Sequence, residues 1–274
     1  MMRISRTIAF VLCSCVLSSA ASAQSVLHAI WVSDPSEDVQ STASFSLTIA
    51  SLSLSGDIPE SQLKNYYLNS KTFSPDDILN VIDTCPATQE DCMLFFYCGH
   101  GFMSSRRQPY ILPNGNRKYP LFLKDILIHL KRKKPRQAIA IFDCCQTIRT
   151  DGPAAPASAG SPSAVSPLAQ SLFFEERSAT PYCVISSAPG ESALGAHMVK
   201  GVLSEGALFS MAFAEVVGAN SSHSLTWDEI FKKVQANVDQ GFSEVKQSGV
   251  PLPGTLVKQP RQTVTRYTPL ELLH

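Results

Sequence analysis

Apolar and polar positions along the chain fall into two patterns, short unbroken apolar runs and longer amphipathic stretches. The run Ala138-Ile139-Ala140-Ile141-Phe142 stops abruptly on Asp143-Cys144-Cys145, and Cys92-Met93-Leu94-Phe95-Phe96-Tyr97-Cys98 stops on Gly99-His100-Gly101. Runs of this length bounded by polar residues read as strands buried on both faces, which belong to parallel sheets covered by helices. Val26 to Val32, Lys64 to Leu68 and Tyr182 to Ser186 supply further strands. Helices are expected from Ser74 to about Cys85, from Leu121 to Lys133, from Leu168 to Glu176, from Gly206 to Val217 and from Thr226 to Gln240. The start at Ser74-Pro75-Asp76-Asp77 combines a cap, a first-turn proline and two acids favoured by the helix dipole. Ser36 to Leu54 is ambiguous: Ser36 reads as an N-cap with Glu37 and Asp38 in a first turn, yet Ser/Leu alternation follows. Asn114-Gly115 signals a hairpin between Tyr110-Ile111-Leu112 and Lys118-Tyr119-Pro120.

The alternation of strands and helices predicts an α/β fold with a mostly parallel central sheet and helices on both faces. With 274 residues and 44% hydrophobic content the chain can fill one large core. Asp151 to Ser166 is almost entirely Gly, Pro, Ala and Ser, a composition that cannot order itself by burial. The chain is thereby divided into residues 24–150, a loop at 151–166, and residues 167–274, both larger parts contributing to one sheet.

Arg3 and Arg6, the apolar run Ile8 to Leu17 and Ala21-Ser22-Ala23 have the layout of a secretory signal cut after Ala23. The run is about half the ~20 residues a spanning helix needs, so the expected mature chain is secreted or periplasmic with no membrane span. Losing Arg3 and Arg6 leaves about 21 bases against 23 acids, which attracts neither nucleic acid nor membrane surfaces. The basic run Lys131 to Arg136 reads as a dipole-favoured last helical turn. Cys85, Cys92, Cys98, Cys144, Cys145 and Cys183 remain after export. Cys85 and Cys92 either close the loop between them as a disulfide or are two buried thiols. No C-x-x-C pair is present, and no metal site is expected. Ser61-Gln62-Leu63-Lys64 matches S-x-x-K, but its companion motifs are absent.

Ligands of open parallel sheets bind beyond the carboxyl ends of the strands, which is where His100 and the Asp143-Cys144-Cys145 step fall. A thiol and an imidazole are the parts of a cysteine nucleophile and its base. Neighbouring strands lie about 4.8 Å apart, so side chains just past their ends can meet. In extended backbone Asp143 and Cys145 share a face while Cys144 points the other way, toward packing. His197 is the one rival base.

Tyr97-Cys98-Gly99-His100-Gly101, followed by a strand ending Asp143-Cys144-Cys145, resembles the caspase-like cysteine peptidases, the metacaspase branch more than the animal caspases. The likeness continues in Ser187 to Ala193 as a post-strand turn, in Gly206 to Ser210, and in Leu225-Thr226-Trp227 ahead of a helix. The resemblance implies a caspase-like three-layer sandwich and an endopeptidase acting on protein or peptide, with Cys145 as nucleophile and His100 as general base and acid. It implies an oxyanion hole from the backbone of Gly101 and Cys145. It also implies Asp143 at the base of the S1 pocket with Asp38 as partner acid, and hence cleavage after Arg or Lys. Self-cleavage near the loop would use Arg149 or Arg177. The sequence departs from the family at Gln146-Thr147-Ile148, which replaces H-S-G, and at Cys98, which replaces serine. No cofactor is expected; the family's calcium-binding acids have no visible counterpart, and calcium activation stays open, as does oligomeric state. The other reading of the same residues is an inactive caspase-like binding module.

Overall fold

The computed structural model describes residues 24–69, 73–115, 119–145, 164–175, 177–178, 180–199, 202–252 and 254–267. The expected signal at residues 1–23, the Gln146-Thr147-Ile148 departure, Arg149 and most of the 151–166 loop lie outside the described residues.

Strand β1 (Leu27–Ser33) leads into α1 (Gln40–Ser55), and β2 (Leu63–Leu68) is followed by α2 (Pro75–Thr84) and β3 (Cys92–Gly99). Three short strands, β4 (Gly101–Met103), β5 (Pro109–Ile111) and β6 (Leu121–Phe122), make a small antiparallel sheet ahead of α3 (Leu123–Arg132) and β7 (Gln137–Cys144). Next come α4 (Pro167–Ala169), running into a π-helical turn at Gln170–Glu175, and β8 (Tyr182–Ile185). The hairpin β9 (Ala196–Val199) and β10 (Val202–Glu205) precedes α5 (Leu208–Asn220), α6 (Trp227–Gln247), α7 (Gly254–Lys258) and β11 (Thr265–Tyr267).

The main sheet has the order β11-β8-β7-β3-β1-β2, parallel throughout except for β11, which runs antiparallel to β8 at the edge. Because β1, β3 and β7 are covered on both faces, every residue of β1 and β7 is buried, as the unbroken apolar runs require. One face packs on α1, α5 and α6 through residues such as Leu47, Phe209, Phe213 and Phe231, with Trp31, Phe96 and Ile141 from the strands. The other packs on α2 and α3 through Ile78, Ile82, Ile126 and Leu130 against Ile30, Phe95 and Phe142. Two such faces make a three-layer α/β sandwich.

The ambiguous segment after β1 is helical. Its hydroxyls fold back onto the helix, Ser46 donating to the Thr42 carbonyl at 2.6 Å and Thr48 to that of Ser44 at 2.8 Å, which removes their competition for backbone. Ser36 does not cap it: α1 begins at Gln40, and the Ser36 hydroxyl is turned to Asp34. The Asn114-Gly115 step is a short 3-10 turn with Asn114 at φ 64°, and β5 pairs with Leu121–Phe122; Lys118 of the expected partner segment lies outside the described residues. Leu121 and Phe122 are thus strand, and α3 starts two residues later than expected. The hairpin β9–β10 and strand β11 were not apparent in the sequence pattern, because each is only three or four residues long. Cys85 and Cys92 are two buried free thiols, not a disulfide. Among the described residues no helix is long and apolar enough to cross a membrane.

Helix α6 is fixed at its start by a full capping box, in which the Glu229 N–H donates to Thr226 Oγ1 and Thr226 donates back to the Glu229 carboxylate. Thr226→Ala is expected to cost about 1 kcal/mol and to lower the thermal midpoint by about 2–4 °C, measured by scanning calorimetry; an unchanged midpoint would show the box to be idle.

Candidate active site

The strand order places β1 beside β3, and the chain passes to β2 on one side of β1 and to β3 on the other. Such a reversal opens a crevice beyond the carboxyl ends of the two strands. His100 stands at the end of β3 on one side of it, and Asp34, the residue after β1, on the other. Asp34 and His100 meet there, with the imidazole Nδ1 2.8 Å from Asp34 Oδ2. Asp34 is wholly buried, and its carboxylate is met from every direction. The His100 N–H donates to Oδ2 at 3.0 Å, and the Ser36 N–H, the Ser36 hydroxyl and the Asn114 N–H donate to Oδ1 at 3.0, 2.6 and 3.1 Å. The Tyr97 hydroxyl lies 3.3 Å from Oδ2 while donating to the His100 carbonyl at 2.9 Å. Burial opposes the charge on Asp34, but the hydrogen bonds from His100 and Ser36 outweigh it and hold the carboxyl below its usual range.

The other ring nitrogen, Nε2, lies 3.1 Å from Asp38 Oδ2, so the imidazole is flanked by two acids. Burial favours neutral His100, yet its bond to Asp34 and the charges of Asp34 and Asp38 prevail and raise its pKa above the usual value. The ring plane is set by Phe102, whose ring is parallel to the imidazole at 6.3 Å between centroids. Asp34 was missed in the sequence, where Ser33-Asp34-Pro35 reads as a polar turn; the available signal was its place at the end of a third buried strand.

Cys145 follows the last residue of β7, the strand paired with β3, and is partly buried. Its thiol donates to the Ala193 carbonyl at 3.5 Å, in the turn after β8. Burial pushes this thiol up to about 11, against a lowering contribution from the Ala193 backbone. Among the described residues Cys145 and His100 share no hydrogen bond. The strand end before Cys145 is pinned: the Cys144 N–H donates to Ser186 Oγ at 3.1 Å, and the Ser187 hydroxyl donates to the Cys144 carbonyl at 3.0 Å.

Glycines on either side of the histidine let these parts approach. A Cβ on Gly99 would stand 2.7 Å from the Tyr97 hydroxyl and closer still to Asp34. On Gly101 it would stand 2.7 Å from Cys144 Cβ and 2.8 Å from the Cys145 carbonyl. Cys144 is buried on the face opposite Asp143, against Gly101 of β4.

Asp143 projects to the α5 face, where Oδ2 accepts from the Ser210 N–H at 3.0 Å and the Ser210 hydroxyl at 2.5 Å. Its Oδ1 is buried with no hydrogen-bond partner. Burial raises its pKa, with Ser210 and the Ser186 hydroxyl compensating only in part. His197 lies in β9. Among the described residues no group of three or more His, Cys, Asp or Glu is arranged to hold a metal ion.

A family model described as the caspase domain matches residues 69–261, more than half of the chain. The chain belongs to the caspase-domain family. Membership supports a cysteine-type peptidase as the general class and a protein as substrate. Among solved structures the chain is similar to caspase-1 from Spodoptera frugiperda, with a TM-score of 0.54 and 12% identity over 89% of this chain and 85% of that one. At that identity the likeness is one of fold. No curated protein matches the sequence.

Gly101→Ala in this caspase domain is expected to destabilise it by about 1–3 kcal/mol through overpacking. Gly218→Ala, where nothing lies within 4 Å of the added Cβ, is expected to be neutral or stabilising. Urea unfolding of both variants checks the contrast, and equal midpoints would contradict the close approach at Gly101.

Proposed function

We propose that the chain is an exported cysteine endopeptidase of metacaspase-like type that hydrolyses peptide bonds after Arg or Lys, with Cys145 as nucleophile and His100 as general base and acid. The observation that carries this reading is an imidazole, fixed through Nδ1, at the end of the strand adjoining the one that ends on Asp143-Cys144-Cys145. The Cys145 thiol passes its proton to His100 Nε2 and the thiolate attacks the scissile carbonyl carbon. Charge collects on the carbonyl oxygen, and the backbone N–H groups of Gly101 and Cys145 are its donors. His100 then protonates the leaving amine as the C–N bond breaks, leaving a thioester. A water gives its proton to His100 and attacks the thioester, and the thiolate is released with the acid product. These steps require no cofactor.

Support for a basic P1 residue comes from Asp143. A buried carboxyl with one oxygen unpartnered favours either a proton or an approaching cation, and a guanidinium or ammonium group would supply the missing donors. Asp38 is the second acid in this reading. Its carboxylate sits on His100 Nε2 before substrate binds, and an arriving cation gives it a competing partner, which would free Nε2 for the thiol. Export follows from the expected signal, and Edman sequencing of the secreted chain is expected to begin at Gln24.

Fluorogenic peptides ending in Arg or Lys are expected to be cleaved and those ending in Asp spared. Cys145→Ala and His100→Ala are each expected to lose at least about 10³-fold in kcat/KM, and Asp143→Asn to lose about 10²-fold on Arg peptides. Activity surviving both dyad substitutions would overturn the mechanism. The neutral Cys145 thiol, bonded to the Ala193 carbonyl, favours the second reading, a catalytically inactive binding module; no hydrolysis under reducing conditions with calcium present would select it. Wild type is expected to cleave itself at Arg149 or Arg177, giving fragments on a gel that Cys145→Ala does not give.

A further inference from the structure

The proposed dyad leaves the most heavily bonded carboxylate of the site without a role. Asp34 receives three backbone N–H groups and a hydroxyl as well as the imidazole, in complete burial. Its backbone bonds alone describe a loop staple joining β1, the start of β4 and the Asn114 turn. The imidazole bond is different in kind, because it falls on the ring nitrogen that the mechanism proposed above leaves out of proton transfer. Phe102 fixes the plane of the ring, and Asp34 fixes the rotation within that plane.

We propose that Asp34 is a positioning residue for His100, so that the reaction is carried by a Cys145–His100–Asp34 set and not by a dyad. The proposal rests on the peptidase reading of Cys145 and His100. With Asp34 accepting from Nδ1–H, neutral His100 keeps its lone pair on Nε2, the tautomer needed to receive a proton from the thiol. When that proton arrives, the imidazolium is stabilised by a carboxylate that water does not screen. Asp38 does not substitute for it, because it bonds the nitrogen that must be vacated and its side chain is 13% exposed against 0% for Asp34. The charged and titratable groups facing His100 are Asp34 from the turn after β1, Asp38 ahead of α1 and the Tyr97 hydroxyl from β3. A His100 whose folded pKa is raised by Asp34 keeps its proton to higher pH, and loss of that charge moves its titration downward.

The test compares wild type, Asp34→Asn and Thr226→Ala. Nitrogen-15 NMR of the wild-type imidazole is expected to place the proton of neutral His100 on Nδ1, and an Nε2–H tautomer would overturn the proposal whether or not any variant folds. Asp34→Asn, which keeps one acceptor oxygen, is expected to lower kcat on Arg peptides about 10²–10⁴-fold with KM changed less than about threefold. Its His100 titration and the His100-controlled limb of the pH profile are expected to move to lower pH. Thr226→Ala, which weakens the start of α6 and touches neither Asp34 nor the ring, is expected to leave kcat and the pH profile unchanged. A folded Asp34→Asn with wild-type kcat and an unmoved His100 titration would reduce Asp34 to a loop staple. If wild type cleaves no peptide, the peptidase reading fails by itself, while the titration and the tautomer still decide whether Asp34 governs His100.

Discussion

A carboxylate cut off from water at the end of β1 is the constraint around which the active end of this molecule is built. Burying an ionised acid is costly unless its oxygens are filled by donors. Asp34 is filled from three separate segments: the turn into α1 through Ser36, the β3–β4 junction through His100, and the Asn114 turn. Each of those segments is therefore held by the same charge. The histidine is located by the electrostatic need of its neighbour as much as by its own strand. The glycine before it follows from the same requirement, because a side chain there would collide with the acid.

Two buried acids stand at the ends of β1 and β7, on either side of β3, with opposite electrostatics, and in the proposed reading the contrast separates their tasks. Asp34 is over-supplied with donors, so its carboxyl is held low and it is a fixed negative charge at all ordinary pH. Asp143 has donors on one oxygen only, and burial holds its carboxyl high. A saturated acid has nothing further to bind and is suited to orienting a neighbour. An unsaturated acid is suited to receiving a charged visitor. Neither distinction depends on distance from the thiol, and both depend on which neighbouring element supplies N–H groups: the N-terminal end of α5 gives Asp143 only the Ser210 pair.

The sheet was legible in the sequence because burial on both faces leaves unbroken apolar runs, and the runs ending at Cys98 and Phe142 could mean little else. The strand-end rule then singled out His100, Asp143 and Cys145, and the structure places them at the ends of the paired strands β3 and β7. It was not applied to the third run, ending at Val32, and Asp34 was lost in what reads as a turn. The Ser/Leu alternation of α1 misled because hydroxyls can return to their own helix, which no periodicity records. Leu121 and Phe122 were assigned to helix because two apolar residues ahead of an amphipathic stretch extend its pattern; pairing with Tyr110 and Ile111 is a tertiary fact. Short elements such as β11 carry too few residues for any period to show.

The resting arrangement follows from ranking the bonds around His100 and Cys145. The Nδ1 contact to Asp34 is short and dry, and breaking it would strand a buried charge, at a cost of about 3–5 kcal/mol in comparable pairs. The Nε2 contact to Asp38 is longer and reaches a side chain with some access to water, and the Cys145 thiol is held only by a weak bond to the Ala193 carbonyl. Any rearrangement that brings thiol and imidazole together therefore spends the second and third of these bonds and keeps the first. In the proposed reading substrate has the chemistry to drive both exchanges: a cation would compete for Asp38, and a peptide chain lying along the turn after β8 would compete for the carbonyl of Ala193. On this ordering the looseness between Cys145 and His100 is a property of the unliganded site, and Asp34 is the part of it that does not move.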